Sequence, residues 1–379
     1  MNCFYLRKKF MSGNRRRRSK QKIETTTNTP DIINCSSGAP LPSTSFSTAD
    51  NFSPPTNSLL READTSRKLR IFTFAQLKTA TDNFSLSSVL GEGGSGCVYK
   101  GQVESLDEPT RMVDVAVKRL KKNGFQGHRE WTTEVNFLGI VDHPNLVRLI
   151  GYCAEDGERG TQRLLVYEFL CNGSVFHHLS PQSSIPLPWM TRLKIALCAA
   201  RGLTYLHEEM EFQIIFRDFK TSNILLDQNW NAKLSDFGLA REGPTEEKSH
   251  VSTAVMGTLG YAAPEYMQTG HLSTKNDIWS YGVVLYELIT GRMPLDRLRP
   301  KGEEKLLDWI KPYISNRNKF PMILDPRLDG QFSLKSAQQL AAVANSCLQR
   351  DPKRRHKMSD VLKVVQTIVN NAEDIPNQT

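Results

Sequence analysis

The sequence predicts an α+β fold of two lobes, a small β-rich one followed by a larger α-helical one. Three observations carry this expectation. The stretches "VDVAVKRL" (113–120) and "RLLVYEFL" (163–170) are dense in β-branched, aromatic and aliphatic residues and sit between turn signals. From "WMTRLKIALCAARGLTYLHEE" (189–209) onward, apolar residues recur mostly at helical spacing. A length of 379 residues with 39% hydrophobic content is enough for one large or two medium domains with a buried core.

Taken in order, the chain opens with a basic arm. Residues 1–22 hold nine Lys or Arg and no Asp or Glu, and the rest of the chain balances at 40 of each sign. The net charge of +9 therefore belongs to a tail and not to a nucleic-acid-binding face. Residues 23–66 are rich in Ser, Thr, Asn and Pro, too poor in apolar surface to offset chain entropy. Residues 1–68 are expected to be a disordered arm and 69–84 an N-terminal extension. In "IFTFAQLKTATDNF" (71–84), Phe74, Leu77, Ala80 and Phe84 recur as on a short amphipathic helix. The folded body is expected over 85–367 and a tail over 368–379. No run is long and apolar enough to span a membrane, and the N-terminus shows no secretory signal core. Seven scattered cysteines without metal-ligand spacing read as reduced thiols.

Several stretches carry chemistry. In "LGEGGSGCVYKG" (90–101), Gly91, Gly93 and Gly96 would let backbone N–H groups approach a triphosphate. A dinucleotide fingerprint would need a helix next; strand-forming residues, Val98 among them, follow instead. Lys118 follows apolar Ala116 and Val117, so it needs a partner. Glu130 and Glu134 compete for that role, and Leu138, one turn on, places Glu134 nearer the core face. In "IIFRDFKTSN" (214–223), Arg217, Asp218 and Lys220 interrupt an apolar run that closes on Asn223, and "LSDFGLA" (234–240) adds Asp236. One carboxylate can orient an attacking hydroxyl. An amide oxygen and a second carboxylate can hold Mg²⁺, and a lysine can neutralise a phosphoryl group in flight.

In this order, these motifs resemble those of eukaryotic protein kinases over about residues 85–367. "FTFAQLKTATDNFS", "GHREWTTEVNFLGIVDHPNLVRLIGYC" and "HVSTAVMGTLGYAAPEY" resemble plant receptor-like cytoplasmic kinases of the Pelle-related group. The resemblance implies a Ser/Thr kinase that uses ATP with Mg²⁺, or Mn²⁺ in its place. It implies that Gly91, Gly93, Gly96 and Val98 cover ATP, that Lys118 and Glu134 pair, and that Tyr167 is the gatekeeper before a hinge at Glu168 to Leu170. Asp218 is then the catalytic base, Lys220 its phosphate-contacting neighbour, and Asn223 and Asp236 the metal ligands. Glu265 pairs with Arg355, and Asp277 braces the catalytic loop. Arg217 reads a phosphate on the segment carrying Ser249, Ser252, Thr253 and Thr258. Ser252 and Thr253 resemble the family's activating sites; Thr258 has the alternative role of positioning substrate. Phe216 stands where the family usually has His, keeping an apolar body while giving up a hydrogen bond of about 0.5–1.5 kcal/mol. Asn276 and His356 also depart from the pattern, and the sequence suggests no role for either.

The implied partners are receptor-like kinases and protein substrates, in plant immune or developmental signalling, with no nucleic acid. The alternative is a catalytically silent scaffold in receptor complexes. Position 2 is Asn, which excludes N-myristoylation. Acylation of Cys3 together with "RRRR" (15–18) would give the two signals that peripheral attachment to an anionic plasma membrane requires. The same basic run also admits a nuclear address or a merely solvated arm.

Overall fold

The computed structural model describes residues 69–373, apart from residues 95, 106, 107, 109, 122–124, 158, 159, 184, 246 and 317 and the side chains of 125 and 126. The basic arm with Cys3, and the last residues of the tail, lie outside the described residues.

The first lobe is built on six strands: β1 (Arg70–Ile71), β2 (Val89–Glu92), β3 (Gly96–Glu104), β4 (Met112–Leu120), β5 (Leu149–Gly157) and β6 (Gly160–Glu168). Their order across the sheet is β1-β5-β6-β4-β3-β2, antiparallel throughout except that β1 runs parallel to β5. Alternation along each strand divides side chains between two faces. Val115, Val117, Leu164 and Val166 pack with Phe72, Leu77, Val103 and Cys153 in a core of their own. On the other face, Ala116 opposes Tyr167 and Lys118 opposes Leu165. Leu120, Leu165 and Tyr167 on that side join the main core, which continues into the second lobe. A lysine is thus carried on the inner face of a sheet, where only a built site can keep it charged.

The helix expected over the N-terminal extension is present but shorter. Helix α1 spans Phe74–Ala80 and starts on a capping box between Thr73 and Gln76. Asp82, Asn83 and Phe84 then take left-handed backbone angles, with φ of 49°, 59° and 55°. The chain turns there because Phe84 is needed against Phe74, with ring centroids 5.6 Å apart, and against Tyr99, at 5.3 Å. Arg119 lies over the Phe74 and Phe84 rings at 5.4 and 4.6 Å. Ahead of the helix, β1 pairs Arg70 with Gly151. A side chain at Gly151 would stand 2.0 Å from the Arg70 carbonyl oxygen, so this close approach needs glycine. The extension is therefore an integral layer of the first lobe.

Helix α2 (Phe125–Leu138) crosses the inner face of the sheet and is tied to it where the Trp131 indole donates to the Leu164 carbonyl at 3.1 Å. The second lobe carries α3 (Val175–Leu179), α4 (Trp189–Thr204), α5 (Pro264–Thr269), α6 (Thr274–Thr290), α7 (Leu306–Ile314), α8 (Leu334–Cys347) and α9 (Met358–Glu373). Helix α6 is buried almost throughout and packs against α4 and α8. Arg192 of α4 has no exposure and donates to the carbonyls of Leu187 and Leu288 and to Asp325. The region read as mostly helical also holds three two-stranded ribbons: β7 (Ile214–Ile215) with β10 (Arg241–Glu242), β8 (Ile224–Leu226) with β9 (Ala232–Leu234), and β11 (Val251–Ser252) with β12 (His271–Leu272). Strands of two or three residues leave no periodic trace, so the sequence could not announce them. No helix among the described residues is long and apolar enough to cross a membrane.

If the extension is part of the lobe, Leu77→Ala, at a position with no exposure, costs about 2–4 kcal/mol in denaturant unfolding of the full chain. Leu86→Ala, at a position 91% exposed, stays within about 0.5 kcal/mol.

Candidate active site

The strand register assembles the roof. Gly91 and Lys118 both stand opposite Val98, and Lys118 in turn opposes Leu165 on β6. Gly93 closes the turn between β2 and β3 by donating its N–H to the Gly96 carbonyl at 2.8 Å. At Gly96 a Cβ would fall 2.1 Å from the Arg119 carbonyl oxygen, so no side chain fits. Tyr167 ends the inner row of β6, and Leu170 follows it, 9% exposed. The Glu168 carboxylate is occupied elsewhere: Lys233 donates to it at 2.8 and 3.1 Å and the Arg148 N–H at 2.8 Å.

Lys118 stands at the meeting point of the lobes. Its ammonium donates to Glu134 Oε1 at 2.5 Å and to Asp236 Oδ1 at 2.8 Å. Of the two glutamates on α2, Glu134 is the one whose carboxylate is wholly buried against the lysine. Its second oxygen accepts from the Tyr167 hydroxyl. Burial works against the lysine's charge, but the carboxylates of Asp236 and Glu134 outweigh it and raise its pKa above the ordinary range. Burial likewise pushes the Asp236 carboxyl up, and the Lys118 ammonium more than reverses that. Lys118 and Asp236 are therefore both ionised at neutral pH.

The floor is a strained loop held by one carboxylate. Asp277, on α6 with no exposure, accepts from the backbone N–H groups of Phe216 and Arg217, each at 2.7 Å. Its Oδ2 also lies 2.9 Å from His207 Nε2. These contacts hold Arg217 at φ 73°, a conformation costly for a residue with a side chain. Beyond the kink, Asp218 Oδ2 accepts from Lys220 at 2.7 Å and Oδ1 from the Thr258 hydroxyl at 2.6 Å. Lys220 also donates to Thr258, at 2.8 Å. Asn223 donates its amide N–H to the Asp218 carbonyl at 3.0 Å, which leaves the amide oxygen as its outward donor atom. Ser235, the neighbour of Asp236, donates backbone and hydroxyl to the Asn223 carbonyl at 2.8 and 3.1 Å. The segments that carry the two residues expected to hold a divalent cation are thus bonded to each other. An amide oxygen and one carboxylate, completed by water and phosphate oxygens, suit a hard ion such as Mg²⁺. Phe216 is buried and meets the Phe237 ring edge-on, with centroids 5.0 Å apart.

Arg355 grips Glu265 with both terminal nitrogens, at 2.7 and 2.8 Å. Asn276, for which the sequence offered no role, closes a capping box with Ser273 and donates to Glu265 at 3.3 Å. His356 contributes only its carbonyl, which accepts from Lys275 at 3.2 Å. Arg217 Nη2 reaches Thr253 Oγ1 at 3.2 Å and the Ala254 carbonyl at 2.6 Å. Two further arginines, Arg129 of α2 and Arg241, went unnoticed in the sequence. Burial, together with the charges of Arg129 and Arg217, lowers the Arg241 guanidinium to about 10. Ser252 is exposed, on the ribbon strand next to Thr253, and Ser249 bonds His250 Nδ1 at 3.0 Å.

Comparison with known proteins agrees with this arrangement. The family model described as protein kinase domain matches residues 84–365. Serine/threonine-protein kinase PCRK2 of Arabidopsis thaliana is 56% identical over 372 residues, covering 97% of this chain and 87% of its own. Serine/threonine-protein kinase PCRK1 of the same plant is 65% identical over 301 residues, 79% of this chain and 72% of its own. Receptor-like cytoplasmic kinase 176 of Oryza sativa subsp. japonica is 50% identical over 326 residues, 84% and 81% of the two chains.

Beneath the loop, Glu287 of α6 is 2% exposed and accepts from Thr221 at 3.1 Å, while its Oε2 has no partner. Burial raises its carboxyl to about 8, against opposing hydrogen bonds from Tyr261 and Thr221. A carboxyl whose folded pKa is raised contributes stability that is full below its ordinary 4.5 and lost as pH rises through about 8. Glu287→Gln therefore flattens the pH dependence of the melting temperature and gains on the native chain between pH 5 and 8. Equal slopes for the two proteins would count against the assignment.

Proposed function

The chain belongs to the serine/threonine protein kinases, in the receptor-like cytoplasmic family, and from that premise we propose how its residues transfer the ATP γ-phosphate to a protein hydroxyl. The observation that carries the proposal is the gathering of Lys118, Asp236, Asp218, Lys220 and Asn223 onto one cleft by contacts from both lobes. Lys118, held charged between Glu134 and Asp236, grips the α- and β-phosphates beneath the Gly91–Gly93–Gly96 turn. The backbone of residues 168–170 reads adenine, since the Glu168 side chain is already spent on Lys233. Val98 covers the base from above.

At the other end Asp218 orients the incoming hydroxyl and takes its proton as the oxygen bonds to phosphorus. The bond between the γ-phosphorus and the bridging oxygen breaks, and ADP leaves. Lys220 offsets the charge on the moving phosphoryl group. Thr258, bonded to both, fixes the pair and so acts in positioning, which its buried contacts favour over a role as a phosphate acceptor. Asn223 and Asp236 would hold Mg²⁺, which would supply positive charge to offset that of the phosphates. Phe216 removes no charged group from this arrangement.

Activity is regulated at Thr253, whose phosphate would be met by Arg217. In the cell, the chain relays signals from receptor kinases at the plasma membrane, with the basic arm and an acylated Cys3 holding it to the anionic leaflet. The family and the nine basic residues among the first 22 support that reading.

Incubation of the full chain with Mg-ATP yields phosphoserine and phosphothreonine. Asp218→Asn lowers the rate by about 10²–10⁴-fold while leaving nucleotide binding within a few fold. A native chain that binds ATP and transfers nothing would establish the silent scaffold instead. Thr253→Ala lowers peptide phosphorylation by about tenfold, the equivalent of about 1.4 kcal/mol; unchanged turnover in that variant would remove the Arg217 contact from regulation.

A further inference from the structure

Ser252 and Thr253 are adjacent in sequence but face opposite ways. In the ribbon of β11 and β12, Ser252 stands opposite His271 and Val251 opposite Leu272, and the Thr253 N–H extends the ladder to the Gly270 carbonyl at 3.1 Å. Residues directly opposite one another in an antiparallel pair share a face, and successive residues alternate. One face therefore carries Val251, Leu272 and Thr253. Leu272 is fully buried there, and Thr253 meets Arg217. The other face carries His250, Ser252 and His271, with Ser252 and His271 exposed. On that face the two imidazoles stack, with centroids 3.7 Å apart and planes at 24°.

We propose that a phosphate on Ser252 is read by the His250–His271 pair, separately from the Arg217 guanidinium that meets Thr253. This deepens the regulatory reading above and rests on it for the source of the phosphate. The phosphoryl group passes from ATP to Ser252 Oγ, with ADP and the hydroxyl proton released. An imidazole N–H can donate to a phosphate oxygen, and the stacked pair places two such rings on the face that carries Ser252. The Ser249 hydroxyl at His250 Nδ1 holds that ring's orientation. The two neighbouring hydroxyls are then not equivalent. One phosphate is met by the Arg217 guanidinium inside the fold, the other by an imidazole pair at the surface.

The test uses the full chain with phosphoserine placed at 252 during translation, so that the result does not depend on the chain's own activity. A second sample carries phosphothreonine at 253. In each, the ³¹P resonance is followed through a pH titration, with and without His250→Gln and His271→Gln. The phosphoserine midpoint is expected to lie lower in the native background than in the double variant by about half a pH unit or more. The phosphothreonine midpoint is expected to stay where it is. His271→Gln alone, at an exposed position, gives a partial shift and guards against misfolding of the double variant. Equal phosphoserine midpoints in all backgrounds, or an equal shift at phosphothreonine 253, would overturn the proposal. A chain that fails to phosphorylate itself would sink the preceding reading and leave this measurement valid.

Discussion

The arrangement depends first on a charge that the fold cannot leave alone. Lys118 is carried on the inner face of a sheet, 8% exposed, where an isolated ammonium would neutralise or the site would open. Glu134 from α2 and Asp236 from the loop after β9 both close on it. Burial raises the Glu134 carboxyl against the opposing pull of Lys118, and its second oxygen accepts from the Tyr167 hydroxyl. The cost of burying these groups is met only when sheet, helix and the second lobe stand in one relation. Loss of the Lys118 side chain would leave the wholly buried Glu134 carboxylate without its cation, so this contact also fixes the position of α2.

A second constraint is mechanical. Helix α6 is buried almost throughout, and from it Asp277 reaches the backbone of residues 216 and 217. Arg217 and Asp236, at φ 73° and 68°, are held in conformations that a free loop would leave. At the kink the Arg217 side chain goes to Tyr266 and Thr253, while Asp218, the next residue, goes to Lys220 and Thr258. A reacting group supported by a rigid helix keeps its geometry better than one supported by loops. Glu265, Arg355 and Asn276 do the same for the end of the activation segment. Phe216 fits this picture as a packing residue, meeting Phe237 and Phe219 where a polar side chain would have needed a partner.

The residues that were easy to pick out in the sequence share a property. Gly91, Lys118, Asp218, Asn223 and Asp236 stand in short local patterns that interrupt an apolar or β-forming context, so each looks expensive unless used. The strands read at 113–120 and 163–170 showed because β-branched and aromatic residues crowd between turn signals; the structure places them at 112–120 and 160–168. The end of α1 did not show, because the helical spacing of Phe84 is real but the residue reaches Phe74 through a left-handed turn. Arg129, Arg241, Glu287 and Asn276 looked like ordinary surface or helix residues. Their partners lie far along the chain, and no local pattern records such a meeting.

The sequence alone determined which chemical groups are available and in what order. It also determined the division into a β-rich and an α-rich lobe, because periodicity and charge placement are local properties. Tertiary structure decided which groups meet. It turned the Glu168 carboxylate to Lys233, tied Thr258 to Asp218 and Lys220, and set Ser252 and Thr253 on opposite faces of a ribbon. Each of those outcomes is a contact whose worth depends on burial and on the angle between two elements, and neither exists until the lobes have packed.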